Sequence, residues 1–214
     1  MPDQLDENSH QIIYVADPMC SWCWGFSPVI HAIEELCRDR ASIVPIMGGL
    51  RPLTRTPMDE ASKSEIMEHW NHVNERSGQP FDMAFFDRQE FIYDTEPACR
   101  AVCTMRKLNP DLTLFYLAAV HRAFYAENRD VTDGGVLAEI AMDVGMDSTV
   151  FLNLFNDVTS VYETAGDFQN ARQMGINGYP SVILRKDEEY SLLSAGYQSF
   201  DALQEPIEEW LAQD

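Results

Sequence analysis

The sequence predicts an α/β protein in which strand-forming segments at both ends of the chain enclose a long helical middle. Near the start, the apolar runs Ile12 to Ala16 and Ile43 to Met47 are rich in β-branched residues, which indicates two buried strands. A helix between them makes a βαβ unit, so these strands are expected to run parallel. Near the end, Ser181 to Leu184 and Tyr190 to Ala195 flank a polar turn, which is typical of a β-hairpin.

The helices are predicted from apolar residues that recur every three or four positions. One helix is expected from about Cys20 to Arg40, with a kink at Pro28, and an amphipathic helix from Phe200 to Leu211 closes the chain. Stripes of the same kind fill the middle: Ile66, Met67, Trp70 and Val73; Ala98, Ala101, Val102 and Met105; Leu114, Leu117, Ala118, His121 and Phe124; Val136, Leu137 and Ile140; Phe151, Leu152 and Phe155. We therefore predict a core made of residues 1–49 and 165–214, with residues 50–164 inserted as a helical domain.

The charge of the chain limits its partners. With 15 Lys and Arg against 35 Asp and Glu, the 214 residues carry a formal net charge of -20. Such a chain repels phosphate backbones and anionic lipid surfaces, so neither nucleic acid nor a membrane is an expected partner. The first fifteen residues have no basic start and no long apolar run, so no targeting segment is predicted and the expected compartment is the cytoplasm.

Two of the five cysteines, Cys20 and Cys23, form a C-x-x-C pair directly after the first strand and at the start of the helix. Backbone N–H groups and the helix dipole at a helix N-terminus favour anions, so Cys20 is expected to be a thiolate with a lowered pKa. Cys23 lies one turn further along, where it can attack a mixed disulfide formed at Cys20. From the spacing alone, half of a zinc site or two buried thiols remain alternatives.

A second motif lies in the segment GINGYPSVIL, where Pro180 stands immediately before a strand. A Pro at that place can be cis, although a trans bond is much the commoner case for X-Pro.

Together the two motifs resemble the thioredoxin superfamily, and in particular its DsbA-type branch. In that branch a strand and C-x-x-C are followed, after a helical insertion, by a G-x-x-G-x-P-[ST] segment, which is matched here by Gly175, Gly178, Pro180 and Ser181. Cytosolic DsbA-like proteins with a D-P-x-C-x-W-C-x-G core are the most similar, and the core is matched by Asp17, Pro18, Cys20, Trp22, Cys23 and Gly25. The resemblance covers nearly the whole chain and implies a thioredoxin-like core with a large helical insertion.

The resemblance also implies the roles of the site residues. Cys20 is expected to be the nucleophile and Cys23 the resolving thiol, with Pro180 in cis facing both sulfurs. The backbone of Tyr179 is expected to pair with an extended substrate chain, and Trp22 lies between the two cysteines. The implied partners are protein or peptide thiols and disulfides, with glutathione as a further candidate. No cofactor and no metal are expected.

Two other functions compete with disulfide exchange. Kappa-class glutathione transferases and 2-hydroxychromene-2-carboxylate isomerases resemble the same architecture, but they carry a Ser near the position of the first cysteine. This chain keeps both cysteines, which favours disulfide exchange. A non-enzymatic alternative joins Cys20 and Cys23 with Cys99 and Cys103 in a four-cysteine zinc site.

Several side chains have both a functional and a structural interpretation. Cys99 and Cys103, four apart on one helix face, are either a second redox pair or core residues, and Cys37 belongs to an apolar stripe. Asp17 is either a proton relay for Cys23 or a turn residue. Met19, Trp22, Trp24 and Phe26 either form a peptide-docking surface or pack in the core. His69 and His72 are either metal ligands or part of a solvated helix face. His31 is either an electrostatic neighbour of the thiolate or an ordinary surface residue.

Overall fold

A computed structural model describes residues 10–213 of the chain and contains one four-stranded sheet within them. Residues 1–9, which carried most of the expectation about a targeting segment, and Asp214 lie outside the described part. The strand order is β2-β1-β3-β4; β1 pairs with β2 in parallel, and the other pairs are antiparallel. The strands are β1 (His10–Ala16), β2 (Ala41–Met47), β3 (Ser181–Lys186) and β4 (Glu189–Ala195). The parallel pair and the hairpin are those predicted from the sequence.

Eight α-helices surround this sheet within residues 10–213, and five of them lie wholly between residues 50 and 164. None of the helices in this described part is long and apolar enough to cross a lipid bilayer. The helices are α1 (Ser21–Cys37), α2 (Glu60–Ser77), α3 (Glu96–Leu108), α4 (Thr113–Tyr125), α5 (Gly134–Asp143), α6 (Ser148–Phe155), α7 (Val158–Gln173) and α8 (Phe200–Leu211); short 3-10 turns span Met83–Asp87 and Pro110–Leu112.

The end of one helix differs from the sequence expectation. Helix α1 ends at Cys37 rather than near residue 40, because the chain turns through Asp39, whose φ of 63° is left-handed, before it enters β2. Helix α7 begins at Val158 and continues past residue 164, so one uninterrupted helix leads from the insertion back to the sheet. The division of the chain into core and insertion at that residue stays a prediction.

The central strand β1 is covered by apolar side chains on both faces. Along β1, Ile12, Tyr14 and Ala16 point into the large cluster shared with α1 and the inserted helices. The alternate residues Ile13 and Val15 point the other way, into a smaller cluster under the end of α7. This alternation follows from the two-residue period of a strand, and it places Tyr14 on the side of the sheet that carries the cysteines.

The register of the sheet brings the two sequence motifs together. Val15 pairs with Ser181 on one side of β1, and Ala16 pairs with Met47 on the other. The ends of β1 and β2 and the start of β3 therefore meet at one edge. The turn into α1, the loop at Gly48 and the bond before Pro180 all lie at this edge.

Candidate active site

Cys20 occupies the N-cap position of α1, at the end of the turn that follows β1. Its backbone N–H donates to the Asp17 carbonyl at 3.0 Å, and its own carbonyl accepts from the N–H groups of Cys23 and Trp24 at 2.9 and 3.1 Å. No side chain caps this helix end. Cys20 is 6% exposed whereas Cys23 is fully buried, so the first sulfur is the one that an incoming group can reach. All five cysteines are free thiols.

The Tyr179–Pro180 peptide bond is cis and lies against Cys20. The Cys20 thiol donates to the Tyr179 carbonyl oxygen at 3.6 Å, although the two residues are 159 positions apart in sequence. The Tyr179 side chain is anchored on the far side, where its hydroxyl donates to the Gly48 carbonyl at 2.7 Å. A Cβ on Gly48 would stand 2.0 Å from the Tyr179 ring, so this close approach requires glycine.

The two thiols differ in their protonation chemistry. The pKa of Cys23 is raised well above its ordinary value, first by complete burial and next by a hydrogen bond and an electrostatic interaction with the Cys20 sulfur. Cys23 therefore stays protonated and can donate toward Cys20. Burial raises the pKa of Tyr14, and both cysteines raise it further, so its hydroxyl is a neutral neighbour of the pair.

Asp17 is fully buried and ties the active-site turn to its surroundings. One carboxylate oxygen accepts from the Met19 N–H at 2.8 Å, and the other accepts from the Leu50 N–H at 2.6 Å and from the Cys99 thiol at 3.3 Å. Burial raises the pKa of Asp17, and these donors oppose the rise. The turn interpretation and a chemical role are therefore compatible at this residue.

Further contacts fix the turn from the inserted helices, and sequence reasoning missed them. The Tyr93 hydroxyl donates to the Met19 carbonyl at 2.6 Å, and His121 Nε2 lies 3.3 Å from the Asp17 carbonyl. Burial lowers the pKa of His121 to about 4, so the ring is neutral and donates from Nε2. In the sequence His121 was one member of an apolar stripe, and nothing in the pattern singled it out.

A groove opens beside the two motifs, bounded by one aromatic wall and one charged wall. Trp22 from α1 and Tyr197 from the segment after β4 lie with ring centroids 5.7 Å apart. The charged wall belongs to α2. The groove is lined by Trp22, Tyr179, Gly196 and Tyr197 and by His72, Glu75 and Arg76. Of the four residues considered as a docking surface, Trp22 alone lines it; Met19, Trp24 and Phe26 are buried in the core.

The other cysteines do not gather around Cys20 and Cys23 as a metal site. Cys103 donates to Asp167 at 3.4 Å, away from Asp17, and Cys37 is buried at the end of α1. Within residues 10–213, no group of three or more His, Cys, Asp or Glu side chains is placed to hold a metal ion. The zinc alternative thus has no support in the geometry.

The histidines considered from the sequence lie on the surface of the molecule. His69 and His72 are exposed on α2, and His72 lines the groove. His31 Nδ1 lies 3.1 Å from Glu34 on the same helix. His31 therefore makes a local contact on α1.

Comparison with protein families gives a match to the DSBA-like thioredoxin domain over residues 11–208. The chain belongs to this family. A Nitrosomonas europaea protein provisionally described as a protein disulfide isomerase shares 34% identity, with a TM-score of 0.87 over 95% of this chain and 98% of that one. The mixed sheet with its helical insertion is thus the fold of DSBA-like thioredoxin domains.

Two further proteins are similar to this chain at lower identity. The cytosolic disulfide reductase DsbM from Pseudomonas aeruginosa is 24% identical, with a TM-score of 0.79 over 94% of this chain and 98% of that one, and it has also been solved with GSH. The ClpXP adapter protein SpxH from Bacillus subtilis is 22% identical over 95% of this chain and 68% of its own length. The resemblance to the DsbA-type branch is therefore confirmed at the level of the family and the fold.

Proposed function

We propose that this protein is a thiol–disulfide oxidoreductase that exchanges disulfides with protein or peptide substrates through Cys20 and Cys23. The observation that carries the proposal is the contact between the Cys20 thiol and the Tyr179 carbonyl beside Pro180, with a buried and protonated Cys23 one helical turn away. An accessible sulfur at a helix N-terminus and a second, shielded sulfur match an attacking thiol and a resolving thiol.

The proposed exchange has two steps. The Cys20 thiolate attacks one sulfur of a substrate disulfide, which forms a Cys20–substrate bond and releases the other substrate sulfur as a thiolate. Cys23 then loses its proton and attacks the Cys20 sulfur, which forms the Cys20–Cys23 disulfide and releases the second substrate thiol. A pair of thiols, such as two molecules of glutathione, returns the protein to its dithiol form by the reverse sequence.

Substrate binding is proposed for Trp22, Tyr179 and Pro180. The backbone at Tyr179 lies beside the attacking sulfur, where an extended substrate segment can pair with it as an added strand. Trp22 and Tyr197 offer apolar contact area to that segment, and Glu75 and Arg76 offer one charge of each sign on the opposite wall. A peptide thiol with both a carboxylate and an ammonium group, of which glutathione is one, suits this groove.

The proposed compartment is the cytoplasm. The support is the likeness to DsbM, which is described as a cytosolic disulfide reductase. In that setting glutathione is an available source of reducing thiols.

Reduction of insulin disulfides tests the function. We expect wild-type protein to catalyse the reduction with a thiol reductant, and Cys20→Ser to abolish it. Cys23→Ser should retain the first attack and accumulate mixed disulfides with the substrate, which mass spectrometry detects. Trapping by Cys20→Ser at the same level would refute the division of roles. Glutathione-dependent isomerisation that survives Cys23→Ser, without insulin reduction, would favour the isomerase alternative instead.

A further inference from the structure

Strand β4 has an open outer side within residues 10–213. Among the described strands, it pairs with β3 on one side and has no strand neighbour on the other. Alternate backbone N–H and C=O groups of such a strand point away from the sheet, where an added strand can pair with them. A bulge at Leu193 interrupts the pairing with β3, so the regular part is residues 189–192. We call the outward side of this part the β4 edge.

The opposite edge of the sheet, at β2, is blocked. Pro45 stands inside this strand and has no N–H to offer. The Arg106 guanidinium donates to the Pro45 carbonyl at 2.6 Å, and the Asp167 carboxylate accepts from the Met47 N–H at 2.9 Å. Proline and charged side chains are common means of blocking an edge strand. The β4 edge contains no proline and a single charge, at Glu189.

The β4 edge belongs to a neutral stretch of a strongly acidic chain. Residues 190–200 contain no charged side chain, although the whole chain carries a formal net charge of -20. Two apolar side chains are well exposed here: Tyr190 is 55% exposed and Leu192 is 58% exposed. Such a surface suits an uncharged apolar segment, because a strongly charged partner would find few opposite charges to pair with.

A groove runs along the β4 edge on each face of the sheet. Leu192 pairs with Ile183 of β3, and both line the groove on the face covered by the end of α7. Tyr190, two positions earlier, lies on the same face. The lining of this groove also includes Ile13, Ile46, Met174 and Ile176, and the groove on the other face includes Leu203, Pro206 and Trp210 with the charged Lys186, Glu189 and Glu209. Side chains of an added strand alternate between the two faces, so each groove can receive every second one.

The β4 edge is continuous with the groove beside Cys20. The two residues that follow β4, Gly196 and Tyr197, line that groove. The Gly196 N–H donates to the Pro180 carbonyl at 2.7 Å, which ties the end of β4 to the segment that contacts the Cys20 thiol. Gly196 follows Leu192 by only roughly 13 Å of extended chain. A polypeptide that leaves Cys20 through the groove can therefore reach the β4 edge within a few residues.

We infer that the β4 edge docks an extended apolar segment of an unfolded polypeptide substrate whose cysteine reacts at Cys20. The segment pairs with β4 as an added strand, and its side chains alternate between the two grooves. Unfolded polypeptides suit this site because they expose apolar, strand-forming segments that folded proteins bury. The inference rests on the proposed exchange at Cys20 and Cys23, and it adds a substrate class that glutathione is too short to represent.

The test compares three mixed disulfides that carry the same aryl leaving group, thionitrobenzoate. The first is a peptide with one cysteine, a Gly/Ser spacer of about four residues, which spans about 13 Å, and the segment Val-Thr-Val-Ile-Val. In the second peptide Gly and Ser replace that segment, and the third substrate is glutathione. Both peptides are made with the cysteine at either end, because an added strand can pair in either direction. Attack by Cys20 on the substrate sulfur forms the new disulfide and releases the aryl thiolate, which absorbance records.

Wild type should react about ten-fold faster with the apolar peptide than with the Gly/Ser peptide, which is the size expected from two backbone hydrogen bonds. Leu192→Lys places a charge on the β4 edge and should abolish this difference. Tyr162→Lys, at a side chain that is 72% exposed on α7, adds the same charge elsewhere and should keep the difference. The glutathione disulfide should react equally with all three proteins.

Hydrogen exchange locates the docked segment. Cys23→Ser is joined through Cys20 to each peptide, so that docking occurs within one molecule. The apolar peptide should slow amide exchange in β4 relative to the Gly/Ser peptide, because an added strand protects the outward N–H groups.

Three results would overturn the inference while leaving the exchange function intact. The first is equal rates for the two peptides with wild type, or equal exchange in β4. The second is a Leu192→Lys variant that slows glutathione and the apolar peptide alike. The third is a wild-type dimer in sedimentation that Leu192→Lys dissociates, because a second copy would then occupy the edge. Failure of all three substrates to release aryl thiolate would overturn the proposed function itself, and this inference with it.

Discussion

His121 should make the stability of the folded protein depend on pH in a way that one substitution can isolate. Its pKa is about 4 in the folded protein, against an ordinary value of 6.5, because the ring is fully buried. The unfolded chain therefore binds this proton first as the pH falls, and protonation favours unfolding. Each pKa unit is worth about 1.4 kcal/mol, so His121 should remove about 3 kcal/mol of stability between about pH 6.5 and about pH 4.

His121→Gln removes the titration while keeping an N–H that can donate to the Asp17 carbonyl. Denaturant unfolding across this pH range should show wild type losing about 3 kcal/mol more than the variant, and the two curves should diverge as the pH falls. Other groups, Asp17 among them, titrate in both proteins, so their contributions largely cancel when the unfolding free energies of wild type and variant are subtracted. The control is His69→Gln on exposed α2, which should follow wild type. Parallel curves for His121→Gln and wild type would refute the assignment of a buried neutral ring.

Two further predictions concern the edges of the site. Gly48→Ala places a Cβ 2.0 Å from the Tyr179 ring, so the ring must move. Because a displacement of about 1 Å at a reacting centre can lower the rate about 100-fold, the rate of insulin reduction should fall by one to two orders of magnitude. The control is Gly166→Ala in α7, where an added Cβ would have no neighbouring atom within 4 Å. It should leave activity unchanged and stabilise the protein by about 0.5–1 kcal/mol, which thermal unfolding can measure. Equal losses of activity in both variants would contradict the role given to Gly48. Arg76→Ala should slow formation of the mixed disulfide with oxidised glutathione several-fold. Arg55 is an exposed cation outside the groove, so Arg55→Ala should not change this rate. Equal rates in the two variants would remove Arg76 from the proposed binding site.

The strands and helices followed from the sequence because hydrophobic periodicity reports which face of an element is buried. The run Ile12 to Ala16 and the run that begins at Ser181 are apolar and become buried strands, so their existence and type were predictable. The end of α1 was not, because it depends on a left-handed turn at Asp39 that no residue pattern demanded.

The chemistry of the site was only partly predictable. The pair Cys20 and Cys23 and the Pro180 segment carry local signatures, so sequence reasoning found them. The contacts of Asp17 with Cys99 and of its carbonyl with His121 depend on how α3 and α4 pack against the turn. Sequence spacing places residues on a helix face but does not say which polar group of another element that face will meet.

The same limit explains why Trp22 and Trp24, two residues apart, have different surroundings. Successive positions on a helix point about 100° apart, so residues two apart face different directions. Trp24 is buried and its ring N–H donates to the Pro80 carbonyl at 3.0 Å, whereas Trp22 lines the groove beside Tyr179. Only the rotation of α1 against the inserted helices decides which aromatic ring lines the groove.

The most direct test of the central claim is the redox equilibrium of Cys20 and Cys23 in glutathione buffers. Protein equilibrated over a range of ratios of reduced to oxidised glutathione is quenched with acid and mapped by mass spectrometry. We expect one two-electron transition in which a disulfide joins Cys20 to Cys23, while Cys37, Cys99 and Cys103 stay reduced. The midpoint also gives the direction of the reaction, since a potential near −120 mV marks an oxidant and one near about −270 mV marks a reductant. Failure to form a Cys20–Cys23 disulfide at any ratio would contradict the proposed disulfide exchange.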